Sequence, residues 1–420
     1  MIDLIVIPCV FAGIILGAIS GLTPGLHVNN FATMLLATSS VLMSFGLTPY
    51  HVASIILAAA ISQTFFDAIP AVFVGAPDSD TILTVLPGHR MMLEGRGIEA
   101  VRLSAIGSAG SIIAALVLVF PLSWIFSKYN DLLMKYVGVL LLAVAAFMIK
   151  AESGPVIEGQ GSLVHLKYKA LAVLVFLTSG LLGIFAFNHE ILFQSPLGME
   201  PEPLLPLLSG LFGASSLIIS LSSGTIIPPQ EDTGLHIPAG SLARSAFLGS
   251  LGGSVISWIP GLSPSIAAMA VRLGAPSTGE EFLVSISGVN TANAIFSLVA
   301  LYALGRPRSG AAAAIKELTV INFDLLIGML VMIMLVGFAS YIAAIGSARF
   351  FAGAISRMNY RRVCLGVLAG LTAMTLAFTG WFGLLIFFMS TVIGMISPLA
   401  GIRKTHAMGV LMLPLILHYL

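Results

Sequence analysis

Long apolar runs separated by short polar loops dominate this 420-residue chain. A helix that crosses a membrane needs about 20 apolar residues. Stretches that meet or approach this length lie near residues 3–23, 31–46, 50–66, 101–126, 132–149, 169–187, 204–227, 245–259, 281–304, 320–346, 363–379 and 381–397. Shorter apolar pieces near 68–75, 262–273 and 407–420 are candidates for half-helices or re-entrant segments. The pattern therefore predicts about 11 to 14 membrane segments.

Composition supports the same class. Hydrophobic residues make up 58% of the chain and charged residues only 9%, whereas soluble domains carry roughly 25% charged residues. The continuous apolar runs differ from the ten-residue alternation of a membrane β-barrel. A net charge of +1 gives no electrostatic reason to expect a nucleic-acid partner. We therefore predict an all-α polytopic protein of the cell membrane, with membrane lipid as a neighbour and without a disulfide, a metal site or a cofactor.

One motif occurs twice. The stretch "GIILGAISGLTPGL", from residue 13, faces "GSLGGSVISWIPGL", from residue 249, with five identities at a constant displacement of 236 residues. This constant spacing favours a duplication, with a first repeat at 1–203 and a second at 204–420. An odd number of predicted spans separates the copies, which predicts that the repeats are inverted in the membrane.

The two Pro-Gly pairs in these stretches are candidate helix breaks. Proline removes a backbone donor and glycine permits unusual dihedral angles. A helix that starts after such a break presents free N–H groups and a partial positive charge, which suits an anion. The alternative to a substrate-binding break is a tight turn at the membrane surface, but matched breaks in two halves favour a transporter site. The candidate substrate-binding residues are Pro24, Gly25, His27, Asn29, Asn30, Pro260, Gly261, Ser263 and Ser265.

Small residues precede both breaks at intervals of four. They are Gly13, Gly17 and Gly21 in the first copy, and Gly249, Gly253 and Ser257 in the second. This spacing lets a neighbouring helix approach closely. We interpret these positions as packing surfaces and not as substrate ligands.

Polar residues inside two apolar spans are candidates for coupling to a cation. Asp67 ends the span near 50–66, and an ionisable residue at such a place is a functional hypothesis by default. The stretch "SISGVNTANAIFS", from residue 285, carries Asn290, Thr291 and Asn293 within an otherwise apolar span. Asp67, Asn290, Thr291 and Asn293 are therefore predicted to bind Na⁺ or relay a proton. Hydrogen bonding between helices is the alternative, and the triplets 67–69 and 293–295 match loosely at a displacement of 226 residues.

A second group of polar residues lies in a loop. Glu231, Asp232 and His236 follow two prolines and contain groups that bind metal ions. Their spacing matches no compact metal-ligand pattern. The sequence therefore predicts no metal site there.

These features together resemble a known family. Two halves that each open with a glycine-rich helix and a Pro-Gly-Leu break, with "LEGRG" ending the first loop, are similar to the large membrane subunit (the permease) of tripartite tricarboxylate transporters. The resemblance covers nearly the whole chain. It implies a cation-coupled secondary transporter of organic anions, built from inverted repeats with re-entrant hairpins. Residues 75–80 depart from the family's usual first-loop run, which indicates a divergent branch.

Three classes of function compete. The leading one is a secondary active transporter of a small di- or tricarboxylate, coupled to Na⁺ or H⁺. The second is a flippase-like transporter of an anionic lipid carrier, which would use the same broken helices. An intramembrane enzyme is disfavoured because the chain has no H-E-x-x-H motif and Asp67 has no second Asp within its span. The resemblance also implies a small membrane subunit and a solute-binding protein as partners, while a homo-oligomer stays open.

Overall fold

The computed structural model describes most of the chain. The described residues are 4–23, 32, 34–36, 38–75, 85–152, 154, 162–196, 203–222, 228–232, 234–258, 264, 267, 278–355 and 359–420. Within these ranges the backbone forms helices and turns and no strand. The predicted all-α class is therefore confirmed.

Fifteen α-helices are numbered here in chain order over the described residues. They are α1 Val6–Leu22, α2 Ser39–Ser44, α3 Pro49–Phe66, α4 Ala68–Phe73, α5 Arg90–Leu93, α6 Gly97–Lys150, α7 Ser162–Asn188, α8 Leu204–Leu208, α9 Ser215–Ser222, α10 Ala239–Trp258, α11 Gly279–Leu304, α12 Gly310–Leu318, α13 Phe323–Ile355, α14 Tyr360–Ala400 and α15 Gly409–Tyr419. A π-helical segment, Ser209–Ala214, joins α8 to α9. A short 3₁₀ turn, Lys404–Met408, lies between α14 and α15.

The chain divides into two compact units. Unit 1 comprises Met1–Asn130 and Ile226–Met358, and unit 2 comprises Asp131–Thr225 and Asn359–Leu420. Each unit therefore takes one piece from the first half of the chain and one from the second. This division rests on spatial contacts, so the predicted repeat boundary between residues 203 and 204 stays a prediction.

Glycines bring two pairs of helices together in unit 1. In the pair α1–α3, a methyl group added to Gly13 would lie 2.6 Å from both Ala58 Cβ and the Ile55 carbonyl oxygen. In the pair α10–α11, a methyl group on Gly249 would lie 2.6 Å from the Ser285 carbonyl oxygen. No side chain larger than hydrogen fits between these backbones. The interpretation of the small residues as packing surfaces is therefore confirmed.

The two helix pairs make equivalent contacts. Gly17 lies against Ala59 and Ser62, and Gly253 lies against Val289 and Ala292, so each partner on α11 follows its counterpart on α3 by 230 residues. This register differs by about one helical turn from the displacement of 226 residues suggested by the sequence triplets. By packing, Asp67 corresponds to Ser297 and not to Asn293. The duplication and its inversion stay predictions.

Unit 2 is organised around α14. This helix contains one non-helical residue, Gly380 (φ 70°, ψ −165°), and it is continuous on either side. The break separates the apolar stretches predicted at 363–379 and 381–397. A side chain at this position would clash with the Gln194 carbonyl and would also be strained, because positive φ disfavours residues other than glycine. Glycine contacts also join α7 to α15, where Gly183 lies against Val410.

Six described helical segments are long and apolar enough to cross a membrane. They are Pro49–Phe73, Gly97–Leu132, His165–Asn188, Gly279–Leu304, Phe323–Ile355 and Arg361–Ala400. Shorter apolar helices include Val6–Leu22 and Leu204–Ile219. The stretches near 101–126 and 132–149, predicted as two spans, belong to the single helix α6. The polar residues between them interrupt the apolar run but do not end the helix. A polytopic membrane protein is thus confirmed, and the total of about 11 to 14 segments stays a prediction.

The glycine contacts generate a stability prediction. Gly253→Ala places a methyl group 2.6 Å from Ala292 Cβ and from the Val289 carbonyl oxygen, and should destabilise the protein by about 1–3 kcal/mol through overpacking. Gly346→Ala is the matched control, because an added methyl group in α13 meets nothing within 4 Å. The control should be neutral or stabilising, since alanine is the better helix former. Thermal unfolding in detergent measures both, and equal effects would refute the packing role.

Candidate functional site

A buried proline kink places Asp67 inside unit 1. Helix α3 begins at Pro49 with a capping box between Thr48 and His51. It is followed by a single turn residue, Asp67, whose backbone keeps right-handed helical angles (φ −63°, ψ −24°), and then by α4. Pro70 has no N–H to donate to the Phe66 carbonyl, so the hydrogen-bond ladder has a gap beside Asp67, which is only 4% exposed. A carboxylate and a carbonyl without its usual helical donor therefore lie next to each other at one buried place.

The partner helix α11 carries polar residues near its middle. Thr278 and Glu281 form a capping box at its start, and Gly305 ends it in a left-handed conformation. Asn290 and Thr291 lie near the centre of this 26-residue helix and are buried. The helix is long and apolar enough to span a membrane. These side chains are therefore near the middle of the span. Polar groups at that depth need partners inside the protein.

Hydrogen bonds join the two helices. Asn290 Nδ2 donates to Asp67 Oδ2 at 2.7 Å. Thr291 Oγ1 donates to Thr64 Oγ1 at 2.9 Å, and Thr64 Oγ1 donates in turn to the Ile61 carbonyl oxygen at 2.8 Å. We call Thr64, Asp67, Asn290 and Thr291 the Asp67 cluster. The sequence predicted three of these four residues for cation coupling, and the structure brings those three together.

Serines of α6 extend this polar region. Ser104 Oγ and Ser287 Oγ are 2.7 Å apart, and Ser108 Oγ donates to the Thr64 carbonyl oxygen at 3.3 Å. All three serines are buried. The sequence interpretation overlooked Thr64, Ser104 and Ser108. The signal was present in the spacing, because Ser104 and Ser108 are four residues apart and face the same side of a helix.

The cluster offers oxygen ligands of the kind that hard cations prefer. Carboxylate, amide and hydroxyl oxygens come from its side chains, and the Phe66 carbonyl lacks its usual donor at Pro70. Alternatively, the Asp67 carboxylate can take up a proton. Among the described residues no group of three or more His, Cys, Asp and Glu is placed to hold a metal ion.

The other predicted site residues have different outcomes. Asn293 lies on α11 beside Gly253 and is partly exposed, and the hydrogen bonds of the Asp67 cluster do not include it. The nine predicted substrate-binding residues lie outside the described residues. The described part of the chain nevertheless reaches towards them: α1 ends at Leu22, just before Pro24, and α10 is described as far as Trp258.

Ion pairs account for the polar loop after Pro229. Asp232 pairs with Arg102 and, at 3.0 Å, with Arg349 Nε. The hydrogen bond from Arg102 lowers the pKa of Asp232 below its ordinary value. His236 Nδ1 lies 3.1 Å from Glu99 Oε1. These residues join a loop to helices of unit 1.

Comparisons with known proteins identify the family of this chain. Residues 7–409 match the tripartite tricarboxylate transporter TctA family. A protein of Methanocaldococcus jannaschii described as uncharacterized is 25% identical, and the similarity covers 97% of each chain. No solved structure matches this chain.

The Asn290–Asp67 hydrogen bond can be tested by a double-mutant cycle. Asn290→Leu removes the donor and leaves a buried carboxylate with one partner fewer, which should cost about 1–3 kcal/mol of unfolding free energy. Asp67→Leu in the same background removes the stranded carboxylate, so the double variant should be more stable than the sum of the single effects predicts. Chemical denaturation in detergent measures the cycle. Strictly additive effects would show that the two side chains do not interact.

Proposed function

This chain belongs to the tripartite tricarboxylate transporter TctA family, and from that premise we propose that it is a secondary active transporter of a small organic anion, coupled to Na⁺ or H⁺. Membership makes it a component of a tricarboxylate transporter, in a family of transporters and not of enzymes. Six long apolar helices agree with a multi-pass protein of the cell membrane. The proposed substrate is a di- or tricarboxylate.

The observation that carries the proposal is the buried Asn290–Asp67 hydrogen bond. An ionisable side chain inside a membrane span is costly and generally marks an ion pathway. Here the carboxylate lies at a proline kink and within hydrogen-bonding distance of an amide on a second span. A bound cation at this place would neutralise Asp67 and gain several oxygen ligands. The site would therefore be occupied by a proton or by Na⁺ in the transporting state.

Coupling follows from charge neutralisation. An empty site holds a buried negative charge, and its movement through the low-dielectric part of a membrane is unfavourable. A loaded site is neutral, so it can reorient between the two sides. Alternating access of this kind uses the movement of one repeat or bundle against another around a central site. The cation gradient would then drive the uphill movement of the anion.

The anion itself is proposed to bind at the two Pro-Gly breaks. Support comes from the end of α1 at Leu22, directly before Pro24, and from the matching Pro-Gly pair in the second half of the chain. Backbone N–H groups beyond Gly25 and Gly261 would hold carboxylate oxygens, as helix N-termini do in other anion sites. His27, Asn29, Asn30, Ser263 and Ser265 would then determine which anion fits.

Other subunits are expected around this chain. A tripartite family implies further components, and we propose that these are a small membrane subunit and a solute-binding protein that delivers the anion. Membrane lipid would surround the exposed apolar side chains. A homo-oligomer of the chain is compatible with this arrangement.

Uptake into proteoliposomes tests the coupling site. With the partner subunits present, labelled di- and tricarboxylates should accumulate when an inward Na⁺ or H⁺ gradient is imposed, and Asp67→Asn should reduce this gradient-driven uptake by an order of magnitude or more. Asp324→Asn is the matched control, because Asp324 is exposed at the start of α13. Full gradient-driven uptake by Asp67→Asn would contradict the assignment. Absence of carboxylate uptake by the wild type, combined with movement of an anionic lipid carrier, would favour the flippase.

The broken-helix anion site has its own test. Gly25→Val and Gly261→Val should each abolish uptake while leaving membrane insertion unchanged, because a β-branched side chain would block the approach of the anion to the backbone. Gly366→Val is the control, since a side chain there on α14 meets nothing within 4 Å. Transport assays with quantified protein in the vesicles measure the effect. Normal uptake by both substrate-site variants would rule out the broken-helix site.

A further inference from the structure

A buried lysine lies in unit 2, outside the site described above. Helix α14 ends at Gly401 in a left-handed conformation, and the chain then forms the 3₁₀ turn Lys404–Met408 before α15. Lys404 is 8% exposed. Its Nζ donates to the Phe212 carbonyl oxygen at 3.0 Å and to Ser216 Oγ at 2.5 Å. Lysine side chains are rarely buried, because removing their charge from water is costly.

The acceptor of this lysine is itself unusual. Phe212 lies in the π-helical segment Ser209–Ala214, between α8 and α9. A π-helical turn interrupts the regular hydrogen-bond ladder and is often found at functional sites. Ser216 Oγ also donates to the Phe212 carbonyl oxygen, at 2.6 Å. The lysine head group is thus held by a neutral carbonyl and a neutral hydroxyl.

The hydrogen-bond count fits an amine better than an ammonium ion. A neutral amine has two N–H donors and a lone pair, whereas an ammonium ion has three donors and needs a counter-charge. Lys404 has two hydrogen-bond acceptors, its Nζ lies 5.9 Å from the centroid of the Phe212 ring, and among the described residues no carboxylate forms an ion pair with it. Residues 204–222 and 381–400 contain no Asp, Glu, Lys, Arg or His. In agreement with this geometry, desolvation lowers the pKa of Lys404 to about 7.

A second basic group in the same turn is also buried. His406 Nε2 donates to Glu152 Oε2 at 2.8 Å, and that carboxylate also accepts the backbone N–H groups of Arg403 and Gly154. Although burial would raise the pKa of Glu152, these hydrogen bonds lower it below its ordinary value, and burial lowers the pKa of His406. Glu152 is therefore ionised and His406 neutral. His406 Nδ1 is buried without a hydrogen-bond partner among the described residues.

Few other titratable groups belong to the elements around this turn. Helices α7, α14 and α15 contact it, and Lys404 also reaches the π-helical segment and α9, which carry no charged or histidine side chain. The described titratable side chains of α7, α14 and α15 lie in the first two turns of α7 and α14 and in the last turn of α15: His165, Lys167, Tyr168, Lys169, Arg361, Arg362, Cys364, His418 and Tyr419. The Lys404 amine and His406 Nδ1 are therefore the two buried proton acceptors of the turn.

We propose that the turn Lys404–Met408 is a proton-binding site of unit 2, and that Lys404 takes up and releases one proton in each transport cycle. The proton adds to the Nζ lone pair and converts the amine to an ammonium ion, without any other bond being made or broken. The third N–H of the ammonium ion then needs a further acceptor, so protonation favours a different arrangement of the surrounding helices. This inference rests on the proposed transport function and adds a proton to the ions that drive it.

Stability as a function of pH tests whether the proton binds. Unfolded Lys404 has a pKa of about 10.4 and the folded group about 7, so between these values the unfolded state binds more protons. The wild type should therefore become more stable as pH rises from about 7 to about 10. Lys404→Gln keeps two N–H donors without a titratable group and should lose this slope by the equivalent of one proton. Lys316→Gln, at an exposed position on α12, is the control and should keep it.

Parallel pH profiles for the wild type and Lys404→Gln would overturn the proton site. Lys404→Arg provides a second variant, since arginine stays charged at every pH. It should be less stable than Lys404→Gln throughout, and equal stability of the two would also count against a neutral lysine.

Transport assays then test the role of the proton. Uptake by wild-type vesicles should respond to a pH gradient, whereas Lys404→Gln should keep substrate exchange at equal pH and lose that response. A wild-type response to the pH gradient in Lys404→Gln would overturn the coupling role. If the wild type transports no carboxylate under any gradient, the proposed function fails and the transport role fails with it. The pH slope of stability would still report whether Lys404 binds a proton.

Discussion

Asp67 places a carboxylate on a helix segment that is buried along its length, and this placement constrains the rest of unit 1. An unpaired carboxylate there would be strongly unfavourable, so α11 has to bring Asn290 within 2.7 Å. Each of the two hydrogen-bonded helices is also held closely by a neighbour, because the glycines of α1 pack against α3 and those of α10 against α11. Pro70 leaves the Phe66 carbonyl, next to the carboxylate, without its usual helical donor.

Each compact unit contains a buried titratable group with a neutral hydrogen-bond partner. In unit 1 the group is an acid, Asp67, and its described hydrogen bond comes from an amide. In unit 2 the group is a base, Lys404, with a carbonyl and a hydroxyl as acceptors. In a structural ion pair each charge is neutralised by a partner within the protein, as in the pair of Arg102 and Asp232 at the loop after Pro229. We propose that Asp67 and Lys404 exchange cations with the outside, as a cation-coupled transporter requires.

The sequence was sufficient for features that depend on local pattern. Apolar runs predicted the membrane class, and small residues spaced four apart predicted close helix packing. Gly380 separates two stretches that were predicted as distinct spans. Contacts between distant segments were beyond its reach. Thr64 and Lys404 could be recognised only from their partners, which lie far away in the sequence. The triplets matched at a displacement of 226 residues, whereas the packing contacts give 230, because short triplets match by chance more easily than packing surfaces do.

The most direct test of cation binding at Asp67 is difference infrared spectroscopy of the reconstituted protein. Spectra of the wild type and Asp67→Asn are compared while Na⁺ is added at constant pH, and again while pH is lowered without Na⁺. We expect a carboxylate band that is missing from the variant. In the wild type it should shift when Na⁺ binds, or be replaced by the band of a protonated carboxyl group on acidification. If no band that depends on Asp67 responds to either cation, Asp67 is not the coupling site.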